Sequence, residues 1–470
     1  MKLVRAAVIA AFAAACALAS AQVPNPTVTG PIPATVRPGD SARDYPFFSS
    51  YVDLAAHGYV EEEFFFSGSA NTYQVTNPLQ TANVATIGNV YKTRMVVRRP
   101  ADAANFNGIV LVEWLNVTNQ LDMENTVYQI DQHILRSGYA WVGVSVQRIG
   151  VNRLRTWNPS RYGTLDVSKR LAPAGGVEEE TFRNDQLQYD VFSQAVQAIR
   201  QPSGTAPLGP LQPHKVIATG HSQSARALIG YLNQVHQLAN VVDGYALHGS
   251  LGNAVRSDPT VPVAKVLSES DVQLFNEYRV RRADDDLYRS WEVAGTSHND
   301  RRAYVPRVLL QLRDTGSNVE ASLNCTFMPP GSAVPFHHVM GAAVDHMARW
   351  VSSGTPMPSA PHLEMTIDPV TGRVQAIRDE LGIARGGIRL AAVEVPIAQS
   401  SGVNSGPGSC DRWGYSDPLP ASTIQRLYGN HGQYVSRVRD VTTRNLAAGY
   451  IVQRDAAATV NEAARSMTGR

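Results

Sequence analysis

The run Lys215-Val216-Ile217-Ala218-Thr219, the pentapeptide Gly220-His221-Ser222-Gln223-Ser224 and the helical pattern over 224–237 constrain this chain most. A short unbroken apolar run predicts a strand buried on both faces, because no polar alternation marks a solvent side. A strand that turns into a helix within a few small residues needs a layered fold in which helices cover a sheet. The pattern recurs. Strand-like runs rich in β-branched and aromatic residues lie at 59–66, 91–98, 108–112, 139–146, 241–247, 261–267 and 288–294. Helical stripes fall among and after them. Phe192, Ala195, Val196 and Ile199 mark 184–200, Met340, Val344, Met347 and Val351 mark 338–352, and a last helix is expected over 433–448. The alternation predicts an α/β fold: a mainly parallel sheet covered by helices on both faces. It carries an N-terminal strand extension and a C-terminal elaboration.

The first 21 residues read as a secretory signal peptide. Lys2 and Arg5 form a charged start, Ala6 to Leu18 is apolar, and Ala19-Ser20-Ala21 supplies small residues before Gln22. The apolar run is shorter than the ~20 residues of a spanning helix, so no stable membrane anchor is expected. Ala13-Ala14-Ala15-Cys16 also lacks the Leu of a lipoprotein signal. Residues 22–43, rich in Pro, Gly, Thr and Ser, read as a flexible leader. The remainder, 44–470, reads as a single elaborated domain. The formal charge of +2 comes from Lys2 and Arg5, so the rest is neutral and has no bulk electrostatic reason to bind nucleic acid. Export, periplasmic or extracellular, leaves Cys325 and Cys410 in an oxidising compartment and predicts one disulfide closing about 85 residues. Two unpaired buried thiols are the alternative.

Gly220-His221-Ser222-Gln223-Ser224 is G-x-S-x-G with Ser in place of the last Gly. As a bare pentapeptide it also fits a serine capping a helix. Between a buried strand and a helix it fits a nucleophile elbow, a sharp turn that lifts the serine hydroxyl above the sheet. An elbow predicts an acid two strands on and a histidine after the next, and both slots are filled. The run 261–267 leads into Ser268-Glu269-Ser270-Asp271, and 288–294 into Gly295-Thr296-Ser297-His298. Ser222, His298 and Asp271 are therefore the candidate nucleophile, base and acid, with Glu269 as reserve acid and His338 as reserve base.

Several stretches resemble a large group of secreted bacterial alpha/beta hydrolase domain proteins. They are Gly58-Tyr59-Val60-Glu61-Glu62-Glu63-Phe64, Val112-Glu113-Trp114-Leu115-Asn116-Val117, Arg161-Tyr162-Gly163, Gly220 to Arg226, Trp291 to His298 and Ala384 to Arg389. The resemblance implies one elaborated α/β-hydrolase domain and a Ser/His/acid triad at the positions already reached. It departs after Asn116, where Val117-Thr118-Asn119-Gln120 stands in place of small Gly-like residues. The oxyanion hole is expected from the Gln223 backbone N–H and from the loop at 114–117, chiefly Leu115 and Asn116. Glu113, Trp114, His221 and Tyr162 are candidate pocket residues. Glu113 reads equally as a buried carboxylate paired with an Arg, and Tyr59, Trp114 and Tyr162 as core.

No metal or other cofactor is expected. His338, Asp345 and His346 do not match zinc spacing, and Asp284-Asp285-Asp286 lacks the Gly and Glu of a calcium loop and reads as a solvated helix face. Neither G-x-G-x-x-G nor a P-loop occurs. The short link between 241–247 and 261–267 leaves no room for a large lid. A cover must come from the N-terminal strands, 150–185 or 365–430. The expected activity is hydrolysis of a small-molecule or polymer ester by an exported serine hydrolase. Amide cleavage, acyl transfer or a binding role on the same fold are the alternatives. Oligomeric state is not readable.

Overall fold

All six residues of the strand Ile109–Trp114 are buried, and their alternation divides the core in two. Val110, Val112 and Trp114 pack with Val191, Phe192 and Val196 of one helix and Ala225, Leu228 and Ile229 of another. Ile109 and Leu111 point to the other face, among Val127, Ile130 and Ile134 and the Met340, Val344 and Met347 stripe. An unbroken apolar run is therefore the signature of a strand between two helical layers. A fully buried side chain of this size contributes about 1.5–3 kcal/mol.

The computed structural model describes residues 23–170, 180–181, 184–318 and 323–470. Its main sheet has nine strands: β1 (Thr27–Thr29), β2 (Tyr59–Gln74), β3 (Asn83–Pro100), β4 (Ile109–Trp114), β5 (Ala140–Val144), β6 (Lys215–His221), β7 (Gly244–His248), β8 (Val263–Ser268) and β9 (Tyr288–Val293). The order is β1-β2-β3-β5-β4-β6-β7-β8-β9. From β5 to β9 every pairing is parallel, and β1, β2 and β3 extend the sheet antiparallel. One face carries α2 (Gln188–Arg200) and α3 (Gln223–Gln234), and the other α1 (Asn125–Ser137) and α6 (Phe336–Ser353). Between these in sequence lie α4 (Glu269–Leu274) and α5 (Arg301–Thr315). Beyond α6, α7 (His431–Ala447) and α8 (Gln453–Arg465) add the C-terminal elaboration.

Two expectations change. The 22–43 segment, read as a flexible leader outside the domain, supplies β1: Val28 pairs with Phe66 at the sheet edge. Arg161, buried against Glu63, donates to the Pro33 and Ile32 carbonyls and so ties the segment down. A strand of three residues carries too little periodicity to be seen in sequence. Asp284-Asp285-Asp286 is not on a helix. Asp285 accepts the Leu287 N–H and pairs with Arg282, shaping the turn into β9. Residues 1–21, the expected signal peptide, lie outside the described residues, and so does part of 150–185. No helix among the described residues is long and apolar enough to cross a membrane.

Candidate active site

Ser222 sits at the junction of β6 and α3 with φ 60° and ψ −121°. A non-glycine residue rarely takes positive φ, and such strain concentrates at functional sites. The turn is held because the Ser222 N–H donates to the His248 carbonyl at the end of β7, 3.0 Å away. Gly220 lets β6 and α3 pack closely there. A Cβ on it would lie 3.0 Å from the Ser224 Cβ and 3.2 Å from Leu228 Cδ1. Ser224 is fully buried and fits where a glycine is usual.

The end of β8 turns at once into α4, capped reciprocally by Ser268 and Asp271. Asp271 Oδ2 accepts the Ser268 N–H at 2.8 Å and hydroxyl at 2.6 Å, which leaves Oδ1 aimed outward. Oδ1 lies 2.6 Å from His298 Nδ1, and His298 Nε2 lies 2.9 Å from Ser222 Oγ. The loop after β9 is pinned by the His298 N–H donating to Ser270 Oγ at 2.7 Å. Gly249 leaves room for the pair, since a Cβ there would lie 2.9 Å from Asp271 Oδ1. Burial alone would push the Asp271 carboxyl up, but the His298 imidazole and the Ser268 hydroxyl hold it below its ordinary value.

Glu269, the reserve acid, is otherwise engaged. It accepts the Gly295 N–H at 2.9 Å and pairs with Arg378 at 2.7 Å, bracing the histidine loop from behind. His338 faces Asp455, 4.0 Å away, and the imidazole that reaches Ser222 is His298. His221 does border the cleft, its ring 4.4 Å from that of His298 and 4.1 Å from that of His248. Burial holds His221 well below its ordinary value and His248 down to about 3, so both stay neutral.

Three pocket expectations fail. Trp114 is buried against Phe192 and donates to Gln147 Oε1, because it shares the strand face of Val110 and Val112. Glu113 is buried between the Thr126 N–H and the Trp141 indole N–H, 2.8 and 2.9 Å away, and neither partner is the Arg anticipated. Desolvation pushes its carboxyl up to about 8. Tyr162 is buried, donating to Glu63 and accepting the Phe47 N–H.

The oxyanion expectation needs the same correction for Leu115 and Asn116. The Leu115 N–H donates to Val144 O and the Asn116 N–H to Met123 O. The Asn116 carbonyl accepts from Met123, so in the same planar trans peptide the Val117 N–H points away from Met123. That N–H has no acceptor among the described residues. The Asn116 side chain donates to the His221 carbonyl at 2.8 Å, tying this loop to the elbow. Gln223 opens α3, where a first-turn N–H has no carbonyl within the helix.

Around the serine lies a cleft of about 320 Å³ whose wall includes Asn299, Arg307, Leu323, Ser409, Arg412 and Trp413. None of these was anticipated. The stretch 409–413 comes from the 365–430 region, one of the three expected sources of a cover. The Cys325–Cys410 disulfide, as expected, joins the loops on which Leu323, Ser409 and Arg412 sit. Its position in sequence was the one signal that pointed there. Among the described residues no group of three or more His, Cys, Asp or Glu is arranged to hold a metal.

A sequence profile described as "Alpha/beta hydrolase domain" matches residues 28–461. The chain belongs to the alpha/beta hydrolase domain family. No curated protein matches it in sequence. Among solved structures, a serine hydrolase of Xanthomonas campestris, XC6422, described as having no lid, is 13% identical. The likeness covers 49% of this chain and 85% of that one, with a TM-score of 0.29. The esterase Est22 is also 13% identical, over 56% of this chain and 79% of its own, with a TM-score of 0.30.

Proposed function

We propose that this chain is an exported serine hydrolase that cleaves carboxylic esters through an acyl-enzyme. The hydrogen-bonded line from Asp271 through His298 to Ser222, at 2.6 and 2.9 Å, carries the reading. Ser222 Oγ attacks the ester carbonyl while His298 Nε2 takes its proton, and Asp271 fixes the imidazole and stabilises the imidazolium. The backbone N–H groups of Gln223 and Val117 are the donors for the oxyanion, a preorganised arrangement whose members are commonly worth several kcal/mol of barrier. His298 then protonates the leaving alcohol. A water activated by the same imidazole releases the acid.

The signal-like sequence at 1–21 and the disulfide fit export to an oxidising compartment. Fluorophosphonate labelling of the purified protein, with Ser222→Ala beside it, tests the assignment. The wild type is expected to label and the variant not. Equal labelling of both, or none, would sink it. Faster turnover of p-nitroanilides than of matching p-nitrophenyl esters would make the enzyme an amidase.

A further inference from the structure

The cleft beside Ser222 has an unusual wall for a small-molecule site. Such pockets are mostly apolar with a few placed polar groups. Here, of the fourteen described residues around it, only Met123, Leu323 and Trp413 are apolar, and Trp413 is 1% exposed. The polar groups are of two kinds. Some are spent on the protein: Asn116 braces the elbow, and Asn125 donates to His221 Nδ1. Others face the cleft with capacity to spare. The Asn299 carbonyl oxygen accepts from Arg307, but its amide N–H₂ has no partner among the described residues. The same holds for the Thr118 and Ser409 hydroxyls. The Arg412 side chain is 45% exposed; its guanidinium stands 5.9 Å over the Phe275 ring and 4.0 Å from Asp411, so its N–H groups keep donors to spare.

A long alkyl acyl chain would strip water from these donors and give nothing back, so each would be left unsatisfied. A polyhydroxylated ligand would replace that water group for group. The cleft, about 320 Å³, lies at the small end of the ~300–1,000 Å³ range of small-ligand pockets and suits one sugar ring rather than a polymer bound along its length. We propose that the substrate is a short-acyl ester of a sugar-like polyol, its hydroxyls held by Asn299, Arg412, Thr118 and Ser409. The proposal rests on the serine-esterase reading above. The bond cleaved is the acyl C–O bond: water adds across it, giving the free short acid and the free hydroxyl.

The test compares kcat/KM for an acetylated methyl glucoside with that for ethyl acetate, and for p-nitrophenyl esters from acetate to octanoate. Fluorophosphonate labelling of Ser222 runs alongside. The acetylated glucoside is expected to exceed ethyl acetate by at least about tenfold, with activity falling as the p-nitrophenyl acyl chain lengthens. Asn299→Ala and Arg412→Ala are expected to raise KM for the sugar ester at least about fivefold more than KM for p-nitrophenyl acetate. If labelling and p-nitrophenyl acetate turnover succeed but octanoate is preferred, or the variants shift both KM values alike, this proposal alone falls. If labelling itself fails, the esterase reading falls and takes the proposal with it.

Discussion

Asp271 and Glu269 stand two residues apart on one short helix, yet their surroundings divide their work. Asp271 spends one oxygen on its own cap and offers the other to His298, whereas Glu269 is consumed by Gly295 and Arg378. Asp271→Asn is therefore expected to lower kcat by about 10³–10⁴-fold through the wrong imidazole tautomer. Glu269→Gln should act mainly on stability. Steady-state kinetics and urea unfolding on both variants separate the two, and a larger kcat loss from Glu269→Gln would reverse the assignment. His248 gives a second test at this scale. Its ring lies between His221 and Phe336, and both its nitrogens are buried without a partner among the described residues. Burial, then the charge of His298, keeps it neutral down to about 3, against an ordinary value of 6.5, with Asp271 pulling the other way. Between those values the unfolded chain binds the extra proton, so stability is complete above 6.5 and is lost as pH falls. At pH 5 the loss from this group is about 2 kcal/mol relative to pH 8. His248→Phe should shrink the difference in unfolding free energy between those pH values by that amount, and an unchanged difference would count against it.

Strands and helices were legible where pattern and burial coincide. β4, β6, β8 and β9 are short apolar runs, and the order of serine, acid and histidine after their ends was readable because each follows directly from a strand terminus. Side-chain roles at those ends were harder. Trp114 was open to a pocket reading as an aromatic at a strand end, although its spacing of two and four from Val112 and Val110 assigns it to the helix-facing core. Leu115 and Asn116 failed as oxyanion donors because their N–H groups depend on the pairings with Val144 and Met123, which local sequence does not encode. The element that matters is the 115–123 loop, and Asn116 is its brace. It donates to the His221 carbonyl and accepts the Thr118 N–H at 2.9 Å. Asn116→Ala is expected to lower kcat about 10–100-fold by loosening the loop against the elbow. The stability cost should be about 1–3 kcal/mol. A kcat within a factor of two of wild type would show that the loop holds its place without it.

Across the whole molecule the Asp271–His298–Ser222 line and the cleft wall have different origins. The line is built by the sheet, so it was readable in advance. The wall is assembled from segments far apart in sequence: Asn299 just before α5 and Arg307 on it, Leu323, and 409–413, the last two joined through the Cys325–Cys410 bridge and the last held by the ribbon Ala398–Ser401/Tyr415–Pro418. Long-range assembly of this kind leaves no periodic trace. The bridge spans a sequence separation of 85, and on the chain-entropy account replacing both cysteines by serine should cost roughly 4–5 kcal/mol, measured by urea unfolding. A loss under 1 kcal/mol would mean that the bridge does little beyond the rim. Because neither cysteine lies in α1 to α6 or in the nine-stranded sheet, the fold and the mouth of the cleft can be uncoupled. Protein made in a reducing cytosol and protein recovered from an oxidising compartment would then give matching far-ultraviolet dichroism while differing in KM. The thiol history of a preparation becomes a variable of its enzymology, to be titrated before two activities are compared.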